Sequence, residues 1–348
     1  MSAGEPTYLN NAGTSWPKAP GVADAVARTL AADPRDYGSI FEAARERIAR
    51  CLAVGDASEL LLTPGCTSAL ATMINAMPWR AGDVVVTSAV EHKAMLAPIH
   101  ALVRNAGVVH RVVSYREGPA FDLDALDGIL SAGNVGLVAV TAASNVTGER
   151  LPTVDIADRA RVHGVATLVD AAQVVGLTQE GLPAFGAECV AFAGHKGPLA
   201  PQGIGGLWVA PGFSVRPGYC EVGSVDLPGA VAMAHSLEWL HARDAPAASP
   251  VELRARLAEG LRARARCTVL GSDTHTTATL SLLHEGLPVA EAEAYFAQHG
   301  IVVRAGQHCA SAALEMLGAP KGTIRLSFGP FNTQADVEAV LRAVDAVP

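Results

Sequence analysis

The sequence predicts an α/β protein built on a mainly parallel sheet, and three observations predict it. Apolar runs without internal alternation, such as Asp83–Thr87 (DVVVT) and Gly136–Ala142 (GLVAVTA), recur through the first two thirds of the chain, as in strands buried on both faces. Helical patterns separate them. Thr67, His92, Asn145, Asp170 and Lys196 all fall at the ends of such runs or just beyond, where open α/β sheets bind their ligands.

The opening TYLNNAGTSWP reads as a short strand with a polar tip that faces a site. Helices follow at Gly21–Ala31 and Ser39–Leu52, separated by the turn-rich DPRDYG. The run Glu59–Leu62 leads through Thr63-Pro64-Gly65-Cys66-Thr67-Ser68 into a helical pattern. A strand, a glycine turn and a helix start with hydroxyls is either an anion site or ordinary capping. Glu91-His92-Lys93 opens a helix to about Ala106; Val108–Ser114 is a strand and Leu123–Ser131 a helix. GLVAVTA ends in Ser144-Asn145-Val146-Thr147-Gly148, helix Thr153–His163 leads to VATLVD ending at Asp170, and ECVAF (Glu188–Phe192) leads to Ala193-Gly194-His195-Lys196. Lys196 is an amine at a strand end, able to form a Schiff base if an electron sink is held in register. Asp170 is a carboxylate able to keep such a sink, a pyridine ring, protonated.

From about Val231 the character changes, with helices, a meander of strands (TVLGS, TATLSLL), helix Val289–His299 and strand 301–303. Then come Arg304-Ala305-Gly306-Gln307-His308-Cys309, strand Thr323–Phe328 with Arg325, and helix Thr333–Val347. The reading is a large domain over residues 14–230 and a smaller one over 231–348 with 1–13. Half of the 348 residues are hydrophobic, ample for both cores. The 26 basic residues fall short of the 34 acidic ones, for a net charge of −8 without a basic cluster, which argues against nucleic acid as a partner. The first twenty residues lack the pattern of a secretory signal, and no apolar stretch reaches membrane-spanning length, so a cytoplasmic, non-membrane protein is expected. The six cysteines lack metal-site spacing and read as mostly buried small hydrophobes, with no metal expected.

The ordered set YLNNAGTS, GCTSA, EHKAM, SNVTGE, VDAAQ, GHK with PQGIGG, EVGS, RAGQHCA and TIRLSFGPFNT resembles the fold type I pyridoxal-phosphate enzymes of the class V aminotransferase group. Within it the chain is similar to cysteine desulfurases and selenocysteine lyases. The resemblance implies a mainly parallel large domain with a smaller α+β C-terminal domain, pyridoxal 5′-phosphate as cofactor, an amino-acid substrate and a homodimer. It implies that Lys196 binds the cofactor and shuttles protons, Asp170 pairs with the pyridinium nitrogen, Gln173 and Asn145 bond the ring oxygen, and His92 stacks on the ring. Cys66, Thr67 and His195 would hold the phosphate, Ser224 the phosphate of the partner subunit, Arg325 the substrate carboxylate with Arg304 as a second contact, and Asn11 and Ala12 the pocket wall. Ala193 stands where many desulfurases carry a phosphate-binding hydroxyl, and the stretch between PQGIGG and EVGS is short for the family. Cys309 is either the sulfur-accepting thiol, with its pKa lowered by His308 and Arg304, or a small buried residue at a helix start. Its compact loop implies an acceptor protein that draws off the sulfur. Transamination, epimerisation or carbon–sulfur lysis on the same fold, or a scaffold that has lost catalysis, are the competing readings.

Overall fold

A computed structural model describes residues 6–114, 121–213 and 226–348. In chain order its strands are β1 (Thr7–Tyr8), β2 (Leu60–Thr63), β3 (Val84–Ser88), β4 (Val109–Val113), β5 (Val135–Thr141), β6 (Ala166–Asp170), β7 (Cys189–Ala193), β8 (Gly205–Val209), β9 (Cys267–Leu270), β10 (Thr279–His284), β11 (Ile301–Val302), β12 (Arg304–Gly306) and β13 (Thr323–Ser327). The helices are α1 (Val22–Leu30), α2 (Tyr37–Cys51), α3 (Cys66–Ala76), α4 (Lys93–Ala106), α5 (Leu123–Ser131), α6 (Thr153–Val162), α7 (Leu227–Ala242), α8 (Pro250–Arg262), α9 (Val289–Gln298), α10 (Ser311–Met316) and α11 (Gln334–Asp345). Two compact units divide the chain: a large one of Lys18–Ala142 and Leu151–Arg243, and a small one of the N-terminal residues to Pro17, Ala143–Arg150 and Asp244–Pro348.

The large unit is built on a seven-stranded sheet in the order β2-β8-β7-β6-β5-β3-β4. All neighbours run parallel except at β8, which is antiparallel to both β7 and β2. The reversal follows from chain length, since the 194–204 connection is too short to carry a crossover helix back to a parallel start. With β8 alone reversed, β2, β3, β5, β6 and β7 all end on the same sheet edge. Helix α3 buries Ala69, Leu70, Met73 and Ile74 among Val85, Leu137, Leu168 and Ala191 of the strands, and each large side chain contributes about 2 kcal/mol of burial. Helix α7 packs on α1 and α2, with Ala232 against Val22 and Leu199 and Arg47 Nε donating to Glu238 at 2.8 Å. It therefore lies within the large unit, so the division falls at 243/244 and not at 230/231: its apolar residues match the large unit's core, and a change in local pattern does not reveal which core a helix joins.

The small unit holds the antiparallel sheet β12-β13-β10-β9 and the parallel pair β1-β11. Its core gathers Leu253, Leu257 and Leu261 from α8, Leu280 and Leu282 from β10, Phe296 from α9, Ile324 and Leu326 from β13, and Val337 and Val340 from α11. Capping boxes Ser249/Glu252 and Thr333/Asp336 open α8 and α11. Strand β12 is only Arg-Ala-Gly and carries no apolar pattern; register with β13, Arg304 opposite Arg325, makes it a strand. The 143–150 segment joins this unit through Thr277 N–H to Gly148 O (2.7 Å) and Ser281 Oγ–H to Val146 O (2.8 Å). Gly148 has φ 78°, and a Cβ there would lie 2.2 Å from Thr279 O, so only glycine permits the approach.

Candidate active site

In the large unit the shared carboxyl edge delivers the polar residues. Asp170 ends β6, buried, and its Oδ1 accepts the Ala172 N–H at 3.0 Å and the Cys66 S–H at 3.3 Å. These two donors pin one carboxylate oxygen and orient the other. Burial, then the Asp170 charge, push the Cys66 thiol well above its usual pKa, with Lys196 opposing; the group is an S–H donor at neutral pH. The side chain expected at a phosphate thus serves Asp170, because the first residue of α3 points back toward the β6 terminus. Thr67, next in the helix, is exposed. Gly65, at φ 143°, precedes α3 without a side-chain cap, so the first-turn N–H groups are available to an anion.

Lys196 follows β7 after Gly194 and His195 and is half-buried. Its loop is tightly packed: a Cβ on Gly194 would lie 2.8 Å from Ile204 O and 2.9 Å from Met233 Sδ. Lys18 Nζ donates to His195 O at 3.2 Å. Burial lowers Lys18 to a pKa of about 8; burial, with Lys196 and Lys18, lowers His195 to about 4, leaving a neutral imidazole. Sequence reasoning misses Lys18, since a lone lysine after Trp-Pro carries no signal. His92 caps α4, its Nδ1 accepting the Ala94 N–H at 3.1 Å, and the ring is half-buried at the end of β3. Its neighbour Glu91 is buried; Oε1 accepts from Ser88 Oγ and from the Thr141 N–H (2.9 Å), while Oε2 is buried without a partner. Burial pushes this carboxyl up to about 8, against the two hydrogen bonds, so it is a neutral acid at pH 7. Gln173 is buried just past β6.

The small unit holds the remaining residues. Arg325, on β13, is buried; Nη1 donates to Asn145 O at 3.1 Å, Nη2 to Asn10 Oδ1 at 3.3 Å, and Nε has no partner. Among the described residues no carboxylate lies within ion-pair distance of it. Burial, then Arg304, lower its pKa to about 10, so it remains a cation, and a buried guanidinium of this kind has the charge and the planar donors to take an anion of carboxylate shape. Asn145 Nδ2 donates to His308 O at 2.8 Å, and its Oδ1 is buried without a partner. Asn11 and Ala12 are fastened to β13, through Asn11 Nδ2 to Ser327 O (3.0 Å) and Ala12 N to Ser327 Oγ (2.8 Å). Asn10, not Asn11, reaches Arg325: the Asn-Asn pair flags the place, but only the register at Ser327 decides which one turns inward. Arg304 is exposed and paired with Glu293 at 3.1 Å.

Cys309 is exposed, not a buried residue of a helix start. Among the other described cysteines, Cys66 and Cys189 are buried and Cys51 and Cys267 partly so; Cys220 and Ser224 lie outside the described residues. Residues 307–310 form a turn closed by Ala310 N–H to Gln307 O at 2.9 Å. Both central residues have positive φ, His308 at 51° and Cys309 at 56°, a conformation that favours Asn-Gly and costs other residues about 1–2 kcal/mol each. Burial, then Arg325, lower His308 to about 3. The expected positive charge from His308 is therefore absent, because the ring is buried beside a guanidinium.

Comparison with known proteins places this arrangement. The family described as aminotransferase class-V matches residues 21–214 and 211–340. A probable cysteine desulfurase of Pseudomonas aeruginosa is 33% identical over 333 residues, 88% of this chain and 82% of that protein. The cysteine desulfurase CsdA of Escherichia coli is 29% identical over 350 residues, 92% and 86% of the two chains. Among solved structures, the cysteine desulfurase of Thermococcus onnurineus superposes with a TM-score of 0.88 at 23% identity, covering 98% of this chain and 94% of that one. The CsdA structure from Escherichia coli gives 0.88 at 24%, with the same coverage. A mainly parallel sheet with lysine and aspartate on one edge, a separate antiparallel unit with a buried arginine, and a family match across nearly the whole chain together make this chain a member of the aminotransferase class-V family.

Proposed function

We propose that the chain is a pyridoxal 5′-phosphate-dependent cysteine desulfurase that moves sulfur from L-cysteine to Cys309 and releases L-alanine. One observation carries the reading: the exposed Cys309 thiol lies in the turn that follows directly on β12, whose Arg304 stands opposite Arg325 in the sheet, and Arg325 is a buried cation with no carboxylate within ion-pair distance among the described residues. A small amino acid gripped there by its carboxylate brings its own sulfur to that thiol, and L-cysteine has a sulfur to bring.

The donor set of the large unit fits the cofactor. An uncapped helix start at Gly65 with Thr67 suits the phosphate, the oriented Asp170 oxygen a protonated ring nitrogen, and the half-buried Lys196 an aldehyde. His195, Gln173 and the flat His92 ring complete that set. When bound, the cofactor supplies an electron sink for the pair released at the substrate α-carbon. Lys196 Nζ takes and returns the proton at that carbon. Arg325 holds the carboxylate and Asn10 steadies the guanidinium. The Cys309 sulfur attacks the substrate sulfur; the carbon–sulfur bond breaks, a sulfur–sulfur bond forms, and the carbon gains a proton. The C–S bond is reduced to C–H while the two sulfurs join as a persulfide, so no external oxidant or reductant is needed.

Only residues 307–310 separate β12 from α10, a loop too short to carry the sulfur far, which favours a protein acceptor that docks at the exposed cysteine. We read the enzyme as a cytoplasmic homodimer. Among the described residues no helix is long and apolar enough to cross a membrane, and no cluster of His, Cys, Asp and Glu could hold a metal.

The test is Cys309→Ser with L-cysteine. The variant should bind the substrate yet release no alanine, and the wild type should gain one sulfur atom at Cys309, removable by a reductant. Alanine formed by the serine variant at the wild-type rate would make Cys309 a bystander and the enzyme a transaminase or lyase.

A further inference from the structure

Cys309 occupies a turn that its own sequence disfavours, and the structure holds that turn in two places. The first is the backbone: His308 O accepts from Asn145 Nδ2 at 2.8 Å. The second is the His308 ring, whose Nε2 lies 3.0 Å from Thr323 O and 3.0 Å from Thr323 Oγ1. The direction of these bonds is determined by what lies behind them. Thr323 Oγ1 donates its proton to Ser281 Oγ at 2.9 Å, and Ser281 Oγ donates its own to Val146 O at 2.8 Å. Both hydroxyls are fully buried, so the threonine oxygen has only a lone pair to offer the ring, and the carbonyl beside it can only accept. Nε2 therefore carries the proton, Nδ1 is a bare nitrogen, and Nδ1 is buried without a partner. A ring fixed as a single neutral tautomer is a clamp.

We propose that His308 is a positioning residue: its Nε2–H, anchored through Thr323 and Ser281 to Val146 O, holds the turn with positive φ at both central residues and so presents the Cys309 thiol outward. The proposal rests on Cys309 as the sulfur acceptor for its importance to turnover, but the clamp itself does not. A charged histidine would lower the pKa of the thiol directly; this ring is neutral, its bare Nδ1 is buried, and it acts through the backbone.

Two substitutions separate the ring's bonds from the backbone conformation. His308→Asn keeps the best non-glycine residue for positive φ but is too short to reach Thr323. His308→Gln places an amide N–H where Nε2–H stands. Hydrogen exchange at Ala310 N–H, whose bond to Gln307 O closes the turn, reads the clamp in protein without substrate. Exchange should quicken by about tenfold or more in His308→Asn and return toward wild type in His308→Gln. Thr323→Val, which removes one of the ring's two acceptors without touching the turn, should quicken it by less. With L-cysteine, His308→Asn should lower kcat by about tenfold or more at nearly constant KM, with recovery in His308→Gln. Alkylation of Cys309 by iodoacetamide should keep its pH midpoint in both His308 variants. Unchanged exchange in His308→Asn, failure of His308→Gln to restore it, or an alkylation midpoint that moves with the ring would each overturn the clamp. Exchange behaving as described while Cys309→Ser still makes alanine would leave the clamp standing and remove the sulfur-acceptor reading instead.

Discussion

The two units handle charge in opposite ways. Along the carboxyl edge of the large sheet, buried ionisable groups are made neutral or given partners: Cys66 stays a thiol on Asp170, Glu91 keeps its proton, and His195 stays an uncharged ring. In the small unit Arg325 is buried as a cation with no carboxylate within ion-pair distance among the described residues, and Cys309 of the same unit sits in a disfavoured turn. The first arrangement suits a region that must hold a fixed electrostatic environment around bond-making atoms. The second suits capture, since a buried charge lacking its counter-ion binds the missing ion strongly and a strained residue keeps its reactive atom exposed. The small unit keeps a costly buried charge, whereas the large one avoids that cost by holding its buried groups neutral or paired.

Four substitutions test that division. Lys196→Ala should have the largest effect, abolishing turnover while leaving L-cysteine affinity close to wild type, because the capturing groups are elsewhere. Mass spectrometry of borohydride-treated wild type should place the cofactor adduct on Lys196; an adduct on Lys93 or Lys321 would move the chemistry out of this region. Asp170→Asn comes next. It removes the oriented carboxylate charge but keeps the shape, and kcat should fall by about three powers of ten, roughly 4 kcal/mol. A near-normal kcat in this variant would mean that the electron sink is held by another residue.

Arg325→Met reverses the pattern. Substrate affinity should weaken by about a hundredfold, roughly 2.7 kcal/mol, with thermal stability equal to wild type or higher, since a buried guanidinium without a counter-ion is costly. A markedly lowered melting temperature would show Arg325 to be a structural residue. The smallest effect is expected at Glu91→Gln and is read as stability against pH. The native carboxyl has a pKa of about 8 against about 4.3 unfolded, so between those values the folded chain holds a proton that the unfolded chain has lost. Its favourable contribution is fully present below about pH 4.3 and is lost as pH rises to about 8. The stability of Glu91→Gln relative to wild type should therefore climb through that window and level off above it; a flat difference would mean that Glu91 is ionised in the native state.

How much of this is legible in the chain differs between the units for the same reason. The strands of the large sheet are unbroken apolar runs ending in single polar residues, and burial on both faces writes that pattern directly into the sequence. The pattern alone therefore puts Thr67, His92, Asp170 and Lys196 at one edge. In the small unit the pattern is weaker. Arg304-Ala305-Gly306 is a strand only because β13 lies beside it, and Asn10 becomes a site residue only through the register at Ser327.

By itself the sequence determined the fold class, the order of the elements and the set of residue types that carry chemistry, because periodicity, turn residues and motif order are local properties of the chain. Tertiary structure alone decided which core α7 joins, that the Cys66 thiol serves Asp170, that Arg325 has no carboxylate within ion-pair distance among the described residues, and that His308 is neutral and bonded to Thr323. Each of those depends on what a side chain meets from a distant part of the chain. A pKa or a hydrogen-bond direction is set by burial and by those partners, which residue spacing does not encode.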